Sequence, residues 1–201
     1  ETMKKILSFI GVTAATLMIA GSAFAYTVKS GDTFWKIASK NQVGVQELIQ
    51  ANPQLKDPNK IYVGQNITIP SVAEKDFEHQ VVVLTNKERA KVGLPALKEN
   101  WELSRVARYK SQDMRDKNYF DHTSPTYGSP FDMMKKFGIS YQAAGENIAA
   151  GQTTPAAVVD AWMKSPGHKA NILNKTYTEI GVGYAKGGSY TYYWTQQFIS
   201  K

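Results

Sequence analysis

Apolar positions along the chain fall into two periodic regimes. Phe34, Ile37 and Ala38 recur at helical spacing, so a helix is predicted over residues 33–40. Leu48 and Ile49 repeat that spacing over 45–51, and Asn52-Pro53 ends the segment because the residue before a proline disfavours helix. Tyr26-Thr-Val28 and Asn66-Ile-Thr-Ile69 alternate like strands, which sets a strand-helix-helix-strand order. Further on, helices are predicted over 77–92, ended by Gly93, and over 101–115, with Leu103, Val106, Ala107 and Met114 on one face. A shorter helix over 131–137 stops at Gly138, and Thr154 followed by Pro155 caps a helix through Val158, Val159 and Trp162. The period then changes to two over 179–185 and 189–199, on either side of Lys186-Gly187-Gly188, which predicts a hairpin, with further strand near 146–149. Helices first and strands last predict a layered α+β fold.

The first residues carry a different signal. Lys4 and Lys5 precede an uncharged apolar run from Ile6 to Ala20, and Ala23-Phe24-Ala25 supplies the small-x-small pattern of a signal-peptidase site. The run is short for a membrane span, so residues 1–25 read as a cleaved export signal, leaving a mature chain from Tyr26 without a span. The mature chain divides into a small unit at 26–70, a polar linker at 71–76 and a larger domain at 77–201.

Composition narrows the function classes. The formal charge is +7, but Lys and Arg are dispersed and not interleaved with aromatics, so nucleic-acid binding has no support. A mild positive field suits the anionic polymers of a Gram-positive envelope better. The chain has no cysteine, which excludes thiol catalysis and cysteine-ligated zinc and leaves an exported chain to rest on its hydrophobic cores or on a metal.

Three ordered blocks make the small unit specific: Tyr26-Thr-Val-Lys-Ser-Gly-Asp-Thr-Phe-Trp-Lys-Ile-Ala38, Ile49-Gln-Ala-Asn-Pro53 and Ile61-Tyr-Val-Gly-Gln-Asn-Ile-Thr-Ile-Pro70. Together they resemble a LysM domain, and the resemblance implies binding of N-acetylglucosamine glycans such as peptidoglycan. The family's groove, carried over to this chain, lies between Gly31, Asp32, Thr33 and Phe34 on one side and Asn52, Pro53, Gln54 and Leu55 on the other. Backbone amides and small polar groups there would bond acetamides while apolar atoms cover the sugar faces. The alternative is that Gly31, Asp32 and Pro53 only shape turns.

The larger unit carries two histidines in segments with no evident period, Asp121-His-Thr-Ser-Pro125 and Ser165-Pro-Gly-His-Lys-Ala-Asn-Ile-Leu173. Their separation fits no local zinc motif. With Ala144-Gly-Glu-Asn-Ile148, Glu179-Ile-Gly-Val-Gly-Tyr184 and Tyr193-Trp-Thr-Gln-Gln-Phe198, these blocks resemble the CAP superfamily of cysteine-rich secretory, antigen 5 and pathogenesis-related 1 proteins, in its bacterial branch. The implied fold is an α-β-α sandwich whose cleft holds two histidines and two acids. His122, Glu146 and His168 map onto three of them, and Asp132 is the only acidic residue between His122 and Glu146 available as the fourth.

Three functions follow from that cleft. The first is a wall-tethered binding protein, in which His122 and His168 hold zinc or another divalent metal, or the cleft takes an unidentified ligand. The second is a metal-dependent hydrolase of wall peptides, glycans or proteins with Glu146 as general base. The third is a structural envelope or spore-layer protein in which His122, Glu146 and His168 merely pin loops together. No organic cofactor is implied, and secretion to the cell wall or medium is expected in each case.

Overall fold

A computed structural model of the protein describes residues 23–71 and 73–201. The expected export signal lies, up to residue 22, outside the described residues. The chain forms two units, the smaller with a hydrophobic cluster of its own, separate from those of the larger.

The small unit runs β1 (Phe24–Thr27), α1 (Phe34–Lys40), α2 (Val45–Gln50) and β2 (Asn66–Ile69). β1 and β2 pair antiparallel, with Tyr26 opposite Ile67. Thr33 caps α1, its hydroxyl accepting from the Lys36 amide. Phe34, Ile37, Ala38, Val43, Leu48, Ile67 and Ile69 are buried together between the helices and the two-stranded sheet. That is the helical stripe and strand alternation of the sequence turned to one side.

The larger unit runs α3 (Lys75–Lys91), β3 (Lys98–Glu99), α4 (Trp101–Lys117), α5 (Pro130–Lys136), β4 (Ala143–Ala150), α6 (Pro155–Lys164), α7 (Pro166–Ile172), β5 (Glu179–Lys186) and β6 (Tyr192–Ser200). The four strands lie in the order β3-β5-β6-β4, so β4 is an edge strand. β5 and β6 form the expected hairpin, with Tyr184 opposite Trp194. Helix α3 starts at Lys75, inside the stretch read as a linker, and α7 occupies a segment for which no helix was expected. Ser165 closes α6 and opens α7, with Pro166 in the first turn of the latter. A seven-residue helix burying only Ile172 shows too little periodicity to be read from sequence.

Alternate residues of the sheet feed two cores. Ile180, Val182, Tyr184, Trp194 and Phe198 meet Val81, Val82, Val158, Val159, Trp162 and Ile172 from α3, α6 and α7. On the other face Ile199 packs with Leu103 and Val106 of α4 and with Met133 and Met134 of α5. Sheet between two helical layers is the α-β-α sandwich. Trp162 and Trp194 are both fully buried, so they are core residues and not sugar platforms.

Gly181 and Gly183 bring α4 onto β5. A Cβ on Gly183 would stand 2.0 Å from the backbone of Ala107 and Arg108, and one on Gly181 2.3 Å from that of Leu103. No side chain fits there. Between the layers, Glu78 of α3 takes two bonds from the Arg108 guanidinium, at 2.8 and 2.5 Å, and a third from the Tyr184 amide. Glu78 and Arg108 are both buried, so this ion pair has its lone pairs satisfied inside the protein.

The two units touch. The Tyr109 hydroxyl of α4 donates to Glu47 of α2, and Lys75 Nζ donates to the Gln42 carbonyl at 2.9 Å.

Candidate functional site

Register places the acid of the cleft. In the β4–β6 ladder Glu146 stands directly opposite Gln197, while Asn147, one residue on, points to the other face opposite Gln196. Glu146 accepts from His122 Nδ1 at 2.8 Å through one oxygen and from Gln197 Nε2 at 3.0 Å through the other. Its side chain is 2% exposed, against 50% for His122. The carboxylate is therefore an internal positioning group, and the imidazole is what faces solvent.

His122 is held by its backbone as well. Lys110 is fully buried and its ammonium donates to the carbonyls of Asp121 and His122, at 2.6 and 2.8 Å. Asp113 accepts from Tyr119, Ser124 and Thr126, at 2.7, 2.6 and 2.5 Å. An antiparallel bridge between Ser124 and Gly128 closes the same loop. Neither Lys110 nor Asp113 was singled out by the sequence. Both sit at polar positions of a helix, and the only local sign is that polar residues occupy its buried face.

His168 comes from the opposite layer. It lies on α7, not in an irregular segment, and its carbonyl accepts from Asn147 Nδ2 at 3.1 Å. Asn147 also bonds Gln196, and Asn171 of α7 bonds both Asn147 and the Glu146 carbonyl. Two consecutive residues of one edge strand thus organise both sides of the cleft. The imidazoles are near enough to couple. Glu146 raises the His122 pKa above its ordinary value, whereas burial first and the His122 charge second lower that of His168.

Asp132 is not part of this group. Its carboxylate accepts from the Ser129 hydroxyl at 2.6 Å and from the Ser129 amide, completing a capping box at the start of α5. Glycine at 128, with positive φ, and serine at 129 explain its place as a helix N-terminal acid. Asp132 thus serves as the N-terminal acid of α5, with its carboxylate bonded to Ser129. The donor set also bears on a metal. Among the described residues no group of three or more His, Cys, Asp or Glu side chains is arranged to hold an ion. His122 and His168 remain as two imidazoles, with the nearby carboxylate already committed, which is short of a resident zinc centre.

In the small unit a cavity of about 360 Å³ is lined by Asp32, Thr33, Phe34, Trp35, Val45, Ile49, Pro58, Asn59 and Ile61. Of the residues expected to form the groove, Asp32, Thr33 and Phe34 line this cavity, and Pro58, Asn59 and Ile61 face them where 52–55 was expected. Asn52 is buried and spent internally, donating to the Leu48 and Thr68 carbonyls and accepting from the Thr68 amide. Gln54 bonds Asn52, Leu55 packs against the small core and Pro53 is exposed outside the cavity lining. Gly31 adopts positive φ and its carbonyl takes the Lys36 ammonium, so it shapes the turn. Asp32 does both, lining the cavity while accepting from Tyr26 and from the Lys29 amide. Trp35 was missed, yet it carried a signal: it falls off the Phe34-Ile37-Ala38 stripe and is 66% exposed.

Comparison with known proteins follows the same division. The LysM domain model matches residues 26–70, and the cysteine-rich secretory protein (CAP) family model matches 82–198. The uncharacterized protein YkwD of Bacillus subtilis is 53% identical over 183 residues, covering 83% of this chain and 70% of that protein. N-acetylmuramoyl-L-alanine amidase XlyB of the same organism is 38% identical over 69 residues, 34% of this chain and 22% of the amidase. Among solved structures, an extracellular SCP-domain protein of Bacillus anthracis superposes with a TM-score of 0.57 at 34% identity, covering 69% of this chain and 47% of that one. No described helix is long and apolar enough to cross a membrane. With its sandwich, its paired histidines at an edge strand and a LysM domain ahead of them, the chain belongs to the cysteine-rich secretory protein family.

Proposed function

We propose that this chain is an exported, cell-wall-associated binding protein. Its LysM domain holds the N-acetylglucosamine units of peptidoglycan, and the cleft between His122 and His168 takes a second ligand. The LysM match and the wall-amidase relative support the first half. The second half rests on one observation: both oxygens of Glu146 are already bonded, to His122 and Gln197. A carboxylate so committed orients an imidazole as a fixed donor or acceptor and is poorly placed to activate water itself. Ser124, two residues after His122, likewise has its hydroxyl engaged with Asp113.

The hydrolase reading keeps one supporting observation. Two imidazoles with pKa values pushed in opposite directions could act as acid and base together. His168, the ring kept neutral, would then be the base and the charged His122 the acid, in place of Glu146. A divalent ion held by His122 and His168 alone would be weakly held and exchangeable.

Sedimentation with purified peptidoglycan tests the first half. Wild type should pellet and Trp35→Ala should stay largely in solution; wild type that remains soluble ends the wall-binding reading. Incubation with peptidoglycan and with peptides tests the second. Release of fragments that stops in His122→Ala would replace the binding reading with a hydrolase, and zinc titration of both histidine variants would reveal an ion dependence.

A further inference from the structure

A second cavity, of about 200 Å³, lies where the two units meet. Its LysM wall is Trp35, Ala38, Ser39, Val43, Gly44, Val45 and Gln46, and its other wall is Trp101, Glu102 and Arg105 from the first turns of α4. Trp35 and Val45 line both this cavity and the LysM groove. The two spaces therefore adjoin around one largely exposed indole.

Trp35 has no packing role that accounts for it. Its neighbours in α1 fill the small core, while its own side chain stands out between two concavities. Trp101, partly exposed, faces the same space from the other unit. Between them Arg105 stacks its guanidinium over Phe137, and its Nε is buried without a hydrogen-bond partner among the described residues. Arg105 is only half-buried, so the rest of its guanidinium carries the donors that can reach a ligand in this space. Two indoles, the Arg105 guanidinium and the polar ends of Ser39, Gln46 and Glu102 match the chemistry of an amino-sugar chain: flat apolar ring faces carrying amide and hydroxyl groups.

We infer that the glycan site does not end at the LysM groove but continues across Trp35 into the interdomain cavity, so that Trp101 and Arg105 of the CAP unit bind further sugars of the same strand. This extension rests on the LysM reading given above. It makes recognition a property of both domains together, and it makes affinity depend on chain length. The added contacts are intramolecular to a sugar already held, so each strengthens binding without a second LysM copy.

Calorimetric titration of the full chain with N-acetylglucosamine oligomers of increasing length provides the test. For wild type, affinity should keep rising after the LysM groove is filled. Arg105→Gln and Trp101→Ala should each lower affinity for the long oligomers by about tenfold, the loss of one good contact, and leave the shortest binding oligomer unchanged. Arg105→Gln removes the charge and the fork but keeps a polar, helix-compatible side chain, so it reports even if Trp101→Ala disturbs α4. Trp35→Ala should weaken every length. Long-oligomer affinity equal to wild type in both Arg105→Gln and Trp101→Ala overturns the extension while the LysM reading stands. Absence of binding at any length in wild type overturns both.

Discussion

The Tyr109 hydroxyl of the CAP unit donates to the Glu47 carboxylate of the LysM unit. Its surroundings make the contact more than incidental. The other oxygen of Glu47 is buried without a partner among the described residues, and a side chain at Gly44 would collide with that carboxylate. Burial and this bond together hold the Tyr109 hydroxyl well above its ordinary pKa. Tyr109→Phe should strand a partly buried carboxylate and cost about 1–3 kcal/mol of docking free energy. Limited proteolysis near residues 71–74 should accelerate, and small-angle scattering should show a larger radius. An unchanged cleavage rate would mean that the interface does not depend on this bond.

The histidines should titrate apart. His122, raised by Glu146, should lose its proton above its ordinary value, and His168, lowered by burial, below it. A raised folded pKa gives His122 a stabilising contribution that is full in acid and fades as pH rises through that folded value. A depressed one gives His168 a contribution that is full above its ordinary pKa and lost as pH falls through the folded value. Between the two, one ring is charged and the other neutral. Imidazole NMR shifts followed with pH should show two separated midpoints, and Glu146→Gln should pull the upper one down. Coincident midpoints in wild type would sink the assignment.

Asp113 should govern the loop that carries His122. Its carboxylate collects three hydroxyl bonds, and these outweigh burial to hold its pKa below the usual carboxylate range. The stability it supplies is therefore present above the ordinary carboxylate pKa and is lost as pH falls through the folded value. Asp113→Asn replaces an acceptor by a half-donor and should cost about 2–3 kcal/mol, since bonds to charged groups are the stronger kind. Amide exchange should quicken across residues 119–128 while β5 and β6 stay protected. Protection that is unchanged in the loop would assign its order to Lys110 and the Ser124–Gly128 bridge instead.

Gly183→Ala tests how tightly α4 is seated. The new methyl would fall inside the backbone of Ala107 and Arg108, so the helix must move as a body. A loss of about 3 kcal/mol is expected from such overpacking, measured as a lower urea midpoint. Because α4 also carries Lys110 and Asp113, the His122 midpoint should move with it.

Elements with strong periodicity were legible from sequence, and those without it were not. α1, α4, α6 and the β5–β6 hairpin announce themselves through Phe34-Ile37, Leu103-Val106, Val158-Trp162 and the turn at Gly187-Gly188. α7 is too short and buries too little, so His168 was misplaced in a loop. The cleft members His122, Glu146 and His168 came from a family resemblance, since their spacing along the chain is set by a strand register that no local pattern reveals. Asp132 shows the converse: a local capping motif accounts for its place in the chain. Asn52 is similar, its buried side chain being bonded within the LysM unit.

Glu146 and Asn147 are neighbours in one edge strand, and they serve opposite faces. β4 therefore works as a two-position selector with a step of one residue. An insertion or deletion just ahead of Glu146 that slides the ladder by one would exchange the two side chains: the amide would meet His122, and the carboxylate would turn into the tight amide cluster under α7. Both histidines would keep their places in the chain, yet the polarity of the cleft would be inverted. Length variation along this family's cleft should therefore be confined to the loops at either end of β4, where it leaves that parity intact.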